Sequence, residues 1–237
     1  MREGETPSTT QVNIGTFVEV FTKYLKEGYE VLYLGVSASI SGTFNSARQA
    51  KELLEEENKE FKIHIVDTSS ASVGEGLLVY KVNEMLKENK GIDEIISYVE
   101  ETKKKVNHWI TVDDLNHLKR GGRISKTAAA MGSILNLKPI MILDEESKLK
   151  VVDKLKGRKK VLRYLANKYI ERAIDKENQV VFISHVDAIE DAEYIRRLIL
   201  TESMAKDVFV NNMGNVIGSH GGPGALAIMF IGKCRED

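Results

Sequence analysis

The chain has 237 residues, 42% apolar and 29% charged, a composition that excludes a disordered polymer and suffices for one large or two smaller folded domains. Its formal net charge of −1 provides no global attraction to nucleic acid or to an anionic membrane. With a single cysteine (Cys234) and scattered histidines, neither an intrachain disulfide, nor a thiolate zinc cage, nor a histidine metal site is expected.

Residues 1–11 are polar and read as coil. Phe17, Val20, Phe21, Tyr24 and Leu25 then recur at helical spacing, and Gly28 is placed to end that helix. VLYLGV at 31–36 is a short apolar run that predicts a strand buried on both faces. SGTFNSARQAKELLEEE predicts a helix, FKIHIVD at 61–67 a second strand, and TSSASVGEG a small-residue turn. Two helices follow, the first carrying Leu78, Val82 and Met85, the second running to about Lys105. This strand–helix alternation predicts a parallel sheet with crossover helices.

Beyond residue 105 the rhythm changes. WITVDD predicts a strand, and NHLKRGGRISKTAAAMGSIL a basic turn entering a small-residue helix. KPIMIL and KLKVVDKL predict paired strands around DEES. A helix through Leu162, Leu165 and Tyr169 leads to the strand VVFISH. The next helix, through Ala192, Ile195 and Ile199, has Asp187 and Glu190 at capping-box spacing. DVFVNNM and ALAIMFIGK close the chain as strands. The fold class expected is α/β in two lobes, a Rossmann-like parallel-sheet domain over 1–105 and a mixed α+β domain over 106–237. The longest apolar run, ALAIMFI, is far too short to span a bilayer, so no stable membrane insertion is expected. The start carries no signal-peptide pattern, and the cytoplasm is the expected compartment.

Four segments could carry chemistry. In GVSASISGTFNSARQA (35–50), free N–H groups at a helix start favour an anion; Ser41 and Thr43 add hydroxyls and Gly42 permits close approach to the backbone. Helix capping by a serine explains the same residues. A serine nucleophile fits less well, because Ser39 stands where the elbow motif requires its second glycine. In HGGPG (220–224), His220 sits among glycines that let a ligand come close, although a lone histidine is also a common structural hydrogen-bonder. Lys119, Arg120, Arg123 and Lys126 surround a double glycine, which suits a phosphate, a partner surface or simply a solvated turn; neither nucleotide-binding glycine fingerprint is present. KLKVVDKLKGRKKVLR (148–163) holds eight basic residues against Asp153 alone. It lacks interleaved aromatics for base stacking, so an acidic protein surface suits it at least as well as nucleic acid, and no nucleic-acid partner is expected.

Taken in order, STTQ (8–11), VSASISGTFNSA (36–47), VDTSSASVGEGLLV (66–79), VDDLNHLKRGGRISKTAAAMGSILNLKPI (112–140), KLKGRKK (154–160) and GSHGGPGALAIMFIG (218–232) resemble the DegV family. The GGRIS block with its LNLKPI continuation is the most specific part. The family's usual N-terminal segment, a strand ending in an Asp-Ser-Thr type turn, has no counterpart ahead of STTQ, so the first strand of the sheet is expected to be missing. The resemblance implies an inter-lobe tunnel holding a long-chain fatty acid as ligand, with no cofactor and no metal. It further implies a non-catalytic subunit that presents the carboxylate to a separate fatty acid kinase for acyl-phosphate formation. The head group would be held by Thr9, Ser41, Gly42 and His220, with support from Thr10 and Thr43; Arg123, Lys156 and Arg158 would dock the kinase. The alternatives are a small-molecule hydrolase or transferase using the Ser41 turn, and a regulatory protein docking through 148–163.

Overall fold

The computed structural model describes residues 1–125 and 137–235. Helix α1 (Ile14–Lys26) buries Phe17, Phe21 and Leu25, one residue per turn on a single stripe. The Asn13 side chain caps its start by accepting the Thr16 N–H at 2.9 Å. Gly28, at φ +87°, ends it: its N–H reaches the Leu25 carbonyl at 3.0 Å while the Tyr29 N–H reaches that of Tyr24 at 3.1 Å. Val20 and Tyr24, expected on the buried stripe, are exposed, because α1 packs through one narrow face only.

Strands β1 (Val31–Gly35) and β2 (Ile63–Asp67) are parallel, with Val31 opposite Ile63 and Gly35 opposite Asp67, and helix α2 (Thr43–Glu57) links them. Val31, Tyr33, Ile63 and Ile65 pack toward α1 and α2. Leu32, Leu34 and Val66 face the opposite way, toward helices α3 (Val73–Lys87) and α4 (Ile92–Thr102). β1 is half-buried rather than fully buried, since among the described residues its one strand partner is β2.

The second sheet has six strands: β3 (Val106–Thr111), β4 (Leu137–Leu143), β5 (Leu149–Lys156), β6 (Val180–His185), β7 (Asp207–Asn212) and β8 (Leu226–Ile231). Their order is β5-β4-β3-β8-β6-β7; β6 and β7 run parallel and the other neighbours antiparallel. Helices α5 (Asn116–Arg120), α6 (Arg158–Arg172), α7 (Ile189–Glu202) and α8 (Asn215–Gly221) complete the chain. Period-two alternation gives this sheet two buried faces. Trp109, Ile228 and Phe230 pack with Leu165, Tyr169 and Ile195 of α6 and α7. Ala227 and Met229 turn the other way, into the core shared with α3 and the small sheet.

Three local expectations are corrected. The strand expected as WITVDD begins earlier, at Val106, and stops at Thr111; Asp114 instead accepts the Asn116 N–H at 2.8 Å and starts α5. No capping box forms at α7: Ala188 is the cap residue, and Asp187, at φ +48°, pairs with Arg2. His220, expected in a loop, lies in the last turn of α8. The small-residue helix expected toward the end of NHLKRGGRISKTAAAMGSIL, together with Lys126, falls on residues 126–136, which lie outside the described residues.

Candidate functional site

A cavity of 410 Å³ lies between the two sheets, within the roughly 300–1,000 Å³ typical of small-molecule sites. The large sheet supplies an apolar wall through Ile110, Leu143, Leu149, Ala227 and Met229. The register explains it: Ile110 pairs with Ala227 and His108 with Met229, so these four point to one face. Small side chains at Ala225 and Ala227 leave the space open.

One group of polar residues gathers around His220. Thr9 Oγ1 lies 2.8 Å from His220 Nε2. The His220 pKa is lowered by burial and by the nearby Arg123 guanidinium, so the ring is neutral at physiological pH. Arg123 donates from Nε to the Ile40 carbonyl at 3.2 Å and from a terminal nitrogen to the Gly121 carbonyl, which holds its charge at the cavity wall. Ser41 Oγ accepts the Thr43 N–H at 3.2 Å and donates to Thr43 Oγ1 at 3.0 Å. The cap residue of α2 is Gly42, so Ser41, one position earlier, bonds the first helical N–H from outside the helix and lines the cavity at once.

The structure thus brings Thr9, Thr10, Ser41, Thr43 and His220 to one cavity. Gly42 is not part of the wall. The Gln11 amide occupies the approach to it, so close that a Cβ at Gly42 would stand 1.9 Å from Gln11 Oε1. Arg123 belongs to the cavity wall, whereas Lys156 is exposed at the end of β5. Arg158 is engaged within the chain, donating to Asp191 Oδ2 and to the Gly224 carbonyl, each at 2.7 Å. Ser37 and Ser39, just before Ser41, are structural. The Ser37 N–H bonds the Ser70 carbonyl at 2.9 Å, and Ser39 Oγ donates to the Glu146 carbonyl at 2.7 Å.

Sequence reasoning missed Gln11, Glu75 and the inward placement of Arg123. A spacing signal existed for Glu75, which follows Ser72 in an S-x-x-E pattern. Burial raises the Glu75 pKa to about 7. The ordinary carboxyl value is lower, so the folded state is penalised progressively as pH rises from about 4.5 to about 7, and by a constant amount above that. Glu75→Gln is accordingly expected to gain about 2 kcal/mol on the wild type between pH 5 and pH 8 in urea unfolding. A difference that is flat with pH would show that Glu75 is not the buried acid described.

Among the described residues, no group of three or more His, Cys, Asp or Glu could hold a metal ion, and no helix is long and apolar enough to cross a membrane.

Comparison with known proteins agrees with this architecture. A family model described as "Uncharacterised protein, DegV family" matches residues 1–233. A DegV domain-containing protein of Clostridium perfringens is 48% identical over 236 residues, covering 100% of this chain and 81% of the relative. A solved DegV family protein from Thermus thermophilus, described for its fatty acid binding, superimposes with a TM-score of 0.87 at 29% identity over 96% of this chain and 80% of its own. The Fatty Acid Kinase (Fak) B3 protein of Streptococcus pneumoniae, loaded with linoleic acid, has a TM-score of 0.85 over 96% of this chain and 79% of its own; at 19% identity this is a likeness of fold.

Proposed function

The chain belongs to the DegV family, and on that premise we propose that it binds a long-chain fatty acid in the inter-sheet cavity and presents the carboxylate to a separate kinase. It would act as a carrier subunit rather than as the catalyst, with residues 1–105 and 106–237 as its two lobes. The observation that carries this reading is a mostly apolar cavity with hydroxyls, a neutral imidazole and a guanidinium gathered around His220.

The division of labour follows from magnitudes. A chain of ~16 carbons, at roughly 0.8 kcal/mol per buried methylene, contributes on the order of 10 kcal/mol before the cost of association. The tail supplies affinity. Charge-assisted hydrogen bonds from Thr9, Ser41 and His220 then fix the register of the carboxylate, with Arg123 adding positive potential. Arg158 is held by Asp191, so kinase docking is assigned chiefly to the exposed surface around Lys156.

The hydrolase alternative lacks its base. Ser41 bonds Thr43 and His220 bonds Thr9, so no imidazole sits on the serine hydroxyl. The basic stretch 148–163 is partly engaged internally: Arg163 pairs with Glu202, and Lys159 lies 5.9 Å from the Tyr194 ring.

Lipid extracted from protein purified under mild conditions is expected to contain a long-chain fatty acid. Protein that is repeatedly empty and takes up none would refute the reading. Ser41→Ala is expected to lower acyl-phosphate formation by a supplied fatty acid kinase roughly tenfold, through loss of one charge-assisted hydrogen bond. An unchanged rate would remove Ser41 from the head-group role.

A further inference from the structure

We infer that the cavity contains a second polar subsite, at Glu75, which takes a hydroxyl group carried on the acyl chain away from its carboxylate; the inference rests on the fatty-acid reading above. Glu75 lies in the first turn of α3 and lines the cavity. Among the described cavity-lining residues it is the one acid and Arg123 the one strong base. They stand on different elements: Arg123 follows α5 and is held at the Ile40 and Gly121 carbonyls, whereas Glu75 is carried by the first turn of α3, whose cap residue Ser72 lies against Ser184 of β6.

Among the described residues nothing consumes the Glu75 carboxyl. The S-x-x-E pattern would ordinarily turn it back onto the cap residue. Here Ser72 sits at φ +55°, ψ −137° and makes no side-chain cap bond; its hydroxyl lies 3.2 Å from Ser184 Oγ instead. The other polar group on this wall, His108, is already satisfied. Its Nδ1 bonds the Val106 carbonyl at 3.1 Å, and its Nε2 accepts the Ala71 N–H at 3.4 Å. Among the described residues no donor reaches Glu75, and the Tyr33 phenol, from β1, is the titratable group that feels its charge.

A chain made of methylenes alone would bury this carboxyl without a partner, which is costly. A ligand hydroxyl removes that cost in either protonation state. It donates to the carboxylate and accepts from the protonated acid. Sites built to bond a hydroxyl discriminate strongly against ligands that lack it, because the protein group is then left unpaired.

The test is displacement of a fluorescent fatty acid by octadecanoic acid and by its monohydroxy derivatives, with the hydroxyl beside the carboxylate, at mid-chain or near the methyl end. The wild type is expected to prefer a mid-chain or distal isomer over the unsubstituted acid by roughly tenfold. Glu75→Gln, which can still donate and accept, is expected to keep most of that preference, and Glu75→Leu to abolish it while binding octadecanoic acid at least as well as the wild type. Equal affinity of the wild type for all these ligands, or a preference that survives Glu75→Leu, overturns the inference and leaves fatty-acid binding intact. If neither octadecanoic acid nor any hydroxylated form binds, the fatty-acid reading falls and this inference with it.

Discussion

Gly121→Ala is expected to weaken long-chain fatty acid binding roughly tenfold or more while leaving the fold in place. The backbone at Gly121 has φ −71° and ψ −9°, which any L-residue adopts without strain. A methyl group there would stand 2.0 Å from His220 Nδ1 and 2.7 Å from its Cε1. Gly121 ends α5 and His220 lies in the last turn of α8, and the imidazole packs so close to the Gly121 backbone that only a hydrogen fits between them. The ring must swing away, and its 2.8 Å contact with Thr9 Oγ1 goes with it. A double-mutant cycle tests this cause directly. His220→Ala is expected to lose a similar factor by itself, and adding Gly121→Ala to it should cost little more, because the clash has no second partner. Fatty-acid titration of the four proteins decides it, and wild-type affinity in Gly121→Ala would remove His220 from the head-group site.

The largest expected loss of stability is at Arg235. Arg235→Met should lower the unfolding free energy by about 3 kcal/mol, measured by urea denaturation. The guanidinium is buried and donates to the Val106 carbonyl at 2.9 Å, the Lys103 carbonyl at 3.0 Å, Ser147 Oγ at 3.2 Å and Ser70 Oγ at 3.4 Å. These acceptors belong to the start of β3, the end of α4, the β4–β5 turn and the turn after β2. One side chain therefore clamps the small sheet's loop to the large sheet. Burial lowers the Arg235 pKa to about 10, with Asp144 and Asp67 opposing the shift, so the group stays charged at neutral pH. Methionine fills part of the volume but takes the guanidinium donors away from all four acceptors, of which the Val106 carbonyl keeps its bond from His108 Nδ1. Arg235→Lys is expected to recover only part of the loss, since an ammonium cannot reproduce the fork. A change within about 0.5 kcal/mol, the range of an ordinary surface substitution, would contradict the clamp.

The elements were largely legible because their signals are local. Asn13, the stripe Phe17–Phe21–Leu25 and Gly28 specify where α1 starts, what it buries and where it stops. The turn DEES between two apolar runs specifies the β4–β5 hairpin, with Leu143 opposite Leu149. Local signals failed where a competing contact took the residue. Asp187 has capping spacing, but the backbone turns at φ +48° and the carboxylate meets Arg2, far away in sequence. The two aspartates after β3 leave the expected strand for a similar reason: Asp113 pairs with Lys138 at 2.7 Å and Asp114 starts α5.

What the sequence by itself determined is the inventory: alternating strands and helices, then a mixed sheet, and an ordered set of motifs specific enough to indicate the family. Those properties are written in spacings of two to four residues and in the identity of short segments. Only the tertiary structure decided the site. Thr9, Ser41, Arg123 and His220 come from four widely separated segments and share one cavity because the two sheets pack around α3. The same packing turned Arg123 inward from what read as a basic turn, set Gln11 over Gly42, and left the Glu75 carboxyl facing an apolar space. Side-chain direction and burial are products of long-range contacts, and it is those contacts, rather than any local pattern, that made a wall of the cavity out of a charged residue.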